Sequence, residues 1–368
     1  MNQMQGKKAT LLLADGQEFH GFSFGKEGTV TGEIVFATGM TGYQETLTDP
    51  SYYGQIVTQT FPTVGNYGAN DQDFESKRCF LSGYIVREWC EIPSNFRMQY
   101  TLDEFLKAQN VIGLYGIDTR RLTRIIREHG VMNGMITTEE IPDKQAALEQ
   151  INRYRIQGAV KSVSEQERAF YPALQTRFHV ALLDFGAKRN IGRELVKRGC
   201  DVTVLPYNAN AEQIKALHPD GIMLSNGPGD PAENVEVIHN LRTIMALKIP
   251  TFGICLGHQL LALAMGGQTE KLKYGHRGAN QPVIDLKLDR TFVTSQNHGY
   301  AVVNGSIPSE VGTVSHKNAN DGTCEGVRYT KIPAFTVQFH PEACGGPTDT
   351  AYLFDEFMDL MQQGKENR

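Results

Sequence analysis

From residue 178 onward, short apolar runs alternate with stretches whose apolar residues recur at helical spacing. Residues 180–184 predict a strand ending in Phe185-Gly186, followed by a helix over 190–198 that Gly199 closes. The next strand and helix fall at 202–205 and 211–217. Residues 222–224 lead into Ser225-Asn-Gly-Pro-Gly-Asp-Pro231 and a helix over 235–247; 250–254 then read as strand and 256–264 as helix. Strands and helices alternating with short connections imply an α/β fold, a mostly parallel sheet with helices on both faces. Catalytic loops in such sheets gather at the C-terminal ends of the strands.

The first 160 residues have a different texture and predict a smaller mixed α/β domain. Residues 10–13 and 33–37 read as strands, 38–70 are rich in Gly, Thr and Tyr, and 80–86 form the clearest strand. The best helix there is 119–129, with Leu122, Ile125 and Ile126 on one side and Arg120, Arg121, Arg124 and Arg127 toward the other. The polar run Lys161-Ser-Val-Ser-Glu-Gln-Glu-Arg168 lacks a core pattern, so the expected division is 1–160, a linker over 161–177, and 178–368. No repeat at a fixed period is visible.

Composition narrows the classes. The 368 residues suit about two to three domains. A formal charge of −5 argues against nucleic acid as the main ligand, because a phosphate backbone calls for a basic face. No stretch approaches about 18 apolar residues, and the start lacks the apolar core of a signal peptide, so a membrane span and export are not expected. The six cysteines are dispersed, as reduced thiols in a cytoplasm would be. Cys324, His340 and Cys344 lack the fourth ligand and the C-x-x-C pair of a zinc site.

The chemistry points to one segment. Gly253-Ile-Cys255-Leu256-Gly257-His258-Gln259 sits where a predicted strand turns into a predicted helix. Glycines at −2 and +2 permit the sharp turn that lifts a nucleophile above the sheet. A thiol there lies at a helix N-terminus, which favours thiolate, and the Leu256 N–H is placed to meet a developing oxyanion. A thiol nucleophile needs a base and an orienting group. Residues two apart in an extended segment point the same way, so Glu342 can support His340 in Phe339-His-Pro-Glu342. His258 points along its own helix, and His298, in Gln296-Asn-His-Gly299, reads as part of a polar loop suited to substrate contacts. The expected set is Cys255 as nucleophile, His340 as base and Glu342 as orienter.

Ser225-Asn-Gly-Pro-Gly-Asp-Pro231, Gly253-Ile-Cys-Leu-Gly-His-Gln259 and His340-Pro-Glu342, in that order, resemble a class I, triad-type glutamine amidotransferase. The N-terminal half narrows the likeness. Gly32-Glu-Ile-Val-Phe36, Met40-Thr-Gly-Tyr-Gln-Glu45, Leu47-Thr-Asp-Pro-Ser-Tyr52, Gly65-Asn-Tyr-Gly68, Gly116-Ile-Asp-Thr-Arg120 and Thr123-Arg-Ile-Ile-Arg-Glu-His-Gly130 are similar to the small, glutamine-hydrolysing subunit family of carbamoyl phosphate synthetases. Asp184-Phe-Gly-Ala-Lys-Arg-Asn190 and Tyr274-Gly-His-Arg-Gly-Ala-Asn280 are further matches.

The resemblance places nucleophile, base and acid on Cys255, His340 and Glu342. It places L-glutamine contacts on Ser51, Gly227, Gly229, Leu256, Gln259, Asn297, Gly299 and Tyr300, and Gly227, in a glycine-rich loop, is then the expected second oxyanion donor beside Leu256. With Ser51 coming from the N-terminal domain, it implies a site that draws on both domains. It implies no cofactor and no metal on this chain; ATP and a divalent metal belong to a large-subunit partner. That partner forms a heterodimer with this chain, receives its ammonia and makes carbamoyl phosphate from bicarbonate, for arginine or pyrimidine synthesis. The absence of a phosphate-binding Gly-x-x-x-x-Gly-Lys-Ser/Thr loop agrees. Two other readings are a stand-alone γ-glutamyl hydrolase, which leaves the N-terminal domain unexplained, and a non-catalytic regulatory binder, against which the intact triad argues.

Overall fold

A computed structural model of the chain describes residues 6–366; residues 1–5, part of the N-terminal segment read above, and 367–368 lie outside the described residues. The chain forms two compact units, one ending at Gln157 and the other beginning at Gly158.

The first unit is built on a closed barrel of seven strands. In spatial order these are Lys8–Leu13, Glu18–Gly25, Ile112–Tyr115, Gly83–Ile85, Gln55–Gln59, Thr29–Ala37 and Met132–Thr137, which pairs back with the first. The joins between Thr29–Ala37, Gln55–Gln59, Gly83–Ile85 and Ile112–Tyr115 are parallel. The rest are antiparallel. Alternation along Thr29–Ala37 sends Ile34 and Phe36 into one apolar cluster and Val35 and Ala37 into another, the period-2 signature of a strand buried on both faces. The strand expected over 80–86 is confined to Gly83–Ile85. The helix Thr119–His129 starts where Asp118 accepts the Arg121 N–H at 2.9 Å, buries Leu122, Ile125 and Ile126, and leaves its arginines exposed. The Gly-, Thr- and Tyr-rich stretch holds the helix Tyr43–Thr48 and the 3-10 turn Pro50–Tyr52.

The second unit carries a ten-stranded sheet. Four neighbouring strands, Cys200–Pro206, Phe178–Asp184, Gly221–Leu224 and Thr251–Ile254, run parallel as the alternation predicts, and Ala334–Val337 continues them in parallel. Ala181, Leu183, Ile222 and Leu224 face a core shared with the helices Val235–Met245 and Leu256–Ala264. Val180, Leu182, Met223, Phe252 and Ile254 face the opposite core, with Ile191 and Leu195 of Arg189–Lys197 and Phe354 and Phe357 of Tyr352–Glu366.

Beyond Ala334–Val337 the sheet continues antiparallel through Cys324–Tyr329, Arg290–Val302, Thr269–Asp285 and Gly312–Asn318, an extension that the alternation did not predict. The two longest strands, Thr269–Asp285 and Arg290–Val302, pair with two register shifts, between Lys271 and His276 and between Gly278 and Gln281. The expected linker over 161–177 needs correction. The helical turn Ala159–Val163 buries Val160 in the second unit's core, and Ala169–Tyr171 pairs with Cys200–Pro206. An edge strand with Phe170 and Tyr171 exposed leaves no core pattern to read. No helix among the described residues is long and apolar enough to cross a membrane.

Candidate active site

The strand Thr251–Ile254, buried between two parallel neighbours, delivers Cys255 to the C-terminal edge of the sheet. Cys255 sits at the N-cap of the helix Leu256–Ala264 with φ 53° and ψ −103°. A non-glycine residue in that region stores on the order of 1–3 kcal/mol of strain. Its N–H donates to Val337 O at 2.8 Å, and its carbonyl accepts the Gln259 N–H at 3.2 Å. The flanking glycines are required by crowding. A Cβ at Gly253 would lie 2.8 Å from Thr336 Cγ2, and one at Gly257 2.5 Å from the Leu224 carbonyl oxygen. The thiol is buried and points at Asn297 O, 3.8 Å away.

His340 follows the strand Ala334–Val337, and its N–H is anchored to Ser295 O at 2.9 Å. Its Nδ1 donates to Glu342 Oε1 at 2.7 Å with both side chains fully buried. That bond fixes the tautomer and turns Nε2 toward the thiol; Nε2 has no other hydrogen-bond partner among the described residues. Burial disfavours the imidazolium and so does Lys188, but Glu342 and Cys255 outweigh them and hold the His340 pKa above its ordinary value. Burial likewise opposes the Glu342 carboxylate, yet His340 and Lys188 keep its pKa well below the usual range. The geometry is that of an imidazole held between a carboxylate on Nδ1 and the thiol on Nε2.

Lys188 is the residue that sequence reasoning missed. Its Nζ lies 3.3 Å from Glu342 Oε1 with only 11% of the side chain exposed. Asp184 shapes the loop that presents it, accepting the N–H groups of Gly186 at 2.9 Å and Ala187 at 2.7 Å. The Lys188 N–H then donates to Asn226 Oδ1 at 3.0 Å, and Asn190 Nδ2 donates to the Glu342 carbonyl. The available signal was position: residues 185–190 follow a parallel strand at the sheet edge where catalytic loops gather.

The expected glutamine contacts divide by unit. In the second unit, Gly227 is packed so tightly that a Cβ would lie 2.2 Å from Phe185 O and 2.7 Å from Leu256 Cδ2, so the two expected oxyanion donors are neighbours. Gly229, at φ 87°, turns the same loop. Gln259 Nε2 donates to Tyr300 O at 2.7 Å and to Gln338 Oε1 at 2.8 Å. Asn297, Gly299 and Tyr300 lie on the strand Arg290–Val302, which brings the Asn297 carbonyl to the thiol. Ser51 lies in the first unit, in the turn Pro50–Tyr52, with its N–H donating to Asp49 Oδ1 at 2.9 Å.

The two competing histidines are accounted for. His258 is buried with Nδ1 2.8 Å from Thr336 Oγ1; burial, and then His316, push its pKa down to about 3. His298 corrects the sequence expectation, because it lies in a strand and not in a polar loop. Its Nδ1 donates to Tyr300 O at 2.7 Å and its Nε2 stands 3.0 Å from Gln296 Oε1, inside the sheet.

Residues 11–136 match the family described as carbamoyl-phosphate synthase small chain, CPSase domain, and residues 181–360 match glutamine amidotransferase class-I. The carbamoyl phosphate synthase small chain of Bacillus caldolyticus is 52% identical over 356 residues, covering 97% of each chain. That of Listeria monocytogenes serotype 4b is 52% identical over 360 residues, covering 98% of each. That of Clostridium perfringens is 51% identical over 356 residues, covering 95% of this chain and 99% of its own. On full-length identity of this order and a matching pair of family domains, the chain belongs to the carbamoyl phosphate synthase small-chain family.

Proposed function

We propose that this chain hydrolyses L-glutamine to glutamate and ammonia and hands the ammonia to a large synthetase subunit. The observation that carries the reading is the buried His340–Glu342 bond of 2.7 Å beside a strained thiol at a helix N-terminus. Cys255 thiolate attacks the side-chain carboxamide carbon of glutamine, and the tetrahedral oxyanion accepts the N–H groups of Leu256 and Gly227. The His340 imidazolium protonates the departing nitrogen as the C–N bond breaks, leaving a γ-glutamyl thioester and a neutral imidazole. That imidazole takes a proton from water, the resulting hydroxide attacks the thioester, and glutamate leaves with the thiolate restored.

Gln259, Asn297, Gly299 and Tyr300 hold the substrate, together with Gly229. The large subunit supplies ATP, a divalent metal and bicarbonate. Ammonia passes to it sheltered from water, since protonation would remove its nucleophilic lone pair. The test is glutamate release by the chain alone and with its large subunit, wild type against Cys255→Ala. Activity that survives Cys255→Ala defeats the mechanism. Robust hydrolysis indifferent to the partner favours a stand-alone hydrolase.

A further inference from the structure

Next to the Asn297–Tyr300 segment lies a polar cluster that glutamine hydrolysis leaves unused. Three antiparallel strands build it: Thr269–Asp285 carries His276, Arg290–Val302 carries Gln296 and His298, and Cys324–Tyr329 carries Glu325. The candidate ligand atoms of His276, His298 and Glu325 all lie within 4.8 Å of one another. The two imidazole centroids are 4.9 Å apart with their planes at 90°.

Each histidine has one nitrogen committed outside the cluster. His298 Nδ1 is 2.7 Å from Tyr300 O, which only accepts, so Nδ1 carries the hydrogen and Nε2 of the neutral ring is bare. His276 Nε2 donates to Asp321 Oδ2 at 2.9 Å, which turns Nδ1 inward, 3.5 Å from Glu325 Oε1. Carbonyl–histidine and carboxylate–histidine pairs of this kind fix the tautomer of metal-ligating imidazoles. Glu325 is oriented in turn by Asn318 Nδ2 at 2.9 Å and Gln296 Nε2 at 3.1 Å.

The hydrogen count inside the cluster falls short. Gln296 stands between His298 Nε2 at 3.0 Å and Glu325 Oε2 at 3.1 Å, and both are acceptors. Its amide can donate to one of them; in either orientation its oxygen faces the other. His276 Nδ1, bare when its ring is neutral, meets a Glu325 oxygen as well. A positive charge at the centre satisfies all of these acceptors at once.

We propose that His276 Nδ1, His298 Nε2 and the Glu325 carboxylate form a binding site for a divalent cation of the zinc class. Two imidazoles and a carboxylate suit zinc or cobalt(II), with water completing a tetrahedron. Ligand–metal distances of about 2.0–2.2 Å require the donor atoms to close to roughly 3.4 Å apart, a movement within the reach of side-chain rotation. His276, with 11% of its side chain exposed, marks the way in.

The test uses the full chain carrying Cys255→Ala, so that the catalytic thiol does not compete for metal. Zinc is titrated calorimetrically, and cobalt(II) is followed by its visible absorption. The expected result is one equivalent bound at this site and an intense cobalt spectrum of tetrahedral type. Glu325→Gln should abolish both. Asp321→Asn, at a side chain 46% exposed and therefore tolerant of change, should weaken binding about 10–100-fold by loosening His276. Binding unaltered by Asp321→Asn or by a folded Glu325→Gln chain overturns the proposal. So does absence of binding in the parent, which would assign the missing charge to a proton.

Discussion

Glu342→Gln isolates what the third member of the catalytic set contributes. The substitution preserves shape and an acceptor oxygen for His340 Nδ1 but deletes the negative charge. In the wild type that bond spans 2.7 Å between two fully buried side chains, so solvent screens it little. A hydrogen bond to a charged group contributes about 1.5–3 kcal/mol and a neutral one about 0.5–1.5 kcal/mol. The difference of about 1–2 kcal/mol corresponds to roughly 5–30-fold in kcat/KM if it is expressed in the transition state. A second effect has a definite sign. Glu342 raises the His340 pKa and Lys188 lowers it, so the variant loses the raising influence and keeps the opposing one. Protonation of the leaving nitrogen needs imidazolium, and the alkaline limb of kcat/KM should therefore move to lower pH. The assay is glutamate release across a pH series, with circular dichroism to confirm the fold. A kcat/KM within twofold of wild type together with an unmoved alkaline limb would refute the reasoning.

Three further outcomes are expected. Gly227→Ala drives a Cβ to 2.2 Å from Phe185 O; displacing an oxyanion donor should reduce kcat by about 10²–10³-fold, measured against glutamine binding to separate it from loss of affinity. At Cys255 the usual order of stability should invert, with Cys255→Gly about 1 kcal/mol more stable than Cys255→Ala in denaturant unfolding, because only glycine relaxes at φ 53°. The stability gap between wild type and Glu342→Gln should depend on pH in two directions. The lowered carboxyl stabilises above its unfolded value near 4.5, and that contribution is lost as pH falls. The raised imidazole stabilises fully below about 6.5 and sheds its contribution as pH rises through its folded value. Urea midpoints across pH should therefore show the widest gap between those limits, and a gap independent of pH would contradict the pairing.

The parallel core was legible because strands buried on both faces are short apolar runs, and 180–184, 222–224 and 250–254 are of that kind. The grouping of Cys255 with His340 and Glu342 was legible because a cysteine between glycines at a strand–helix junction has few structural readings. Lys188 was not, since a buried lysine makes sense only once Glu342 lies 3.3 Å away. The Arg290–Val302 strand was hidden by its own polarity: Gln296, Asn297 and His298 look solvated until their partners across the sheet are known. Barrel closure in the first unit depends on pairing Thr29–Ala37 with Met132–Thr137, a separation no local pattern reports. The helix Tyr352–Glu366 carried a readable spacing in Leu353, Phe354, Phe357, Met358 and Met361, yet it follows the last motif and no chemistry drew attention to it.

The hairpin of Thr269–Asp285 and Arg290–Val302 has a consequence for how this site tolerates change. It presents main-chain oxygens, Asn297 O to the thiol and Tyr300 O to Gln259, so position along the ladder matters more than side-chain identity there. Tyr300→Phe leaves its oxygen in place. Deleting one residue of Arg290–Val302 between Thr294 and Asn297 would carry the residues on one side of it to the opposite face. Along this hairpin, exchange of residues and loss of residues are therefore different kinds of mutation: the first adjusts a contact, while the second re-indexes the whole wall of the pocket.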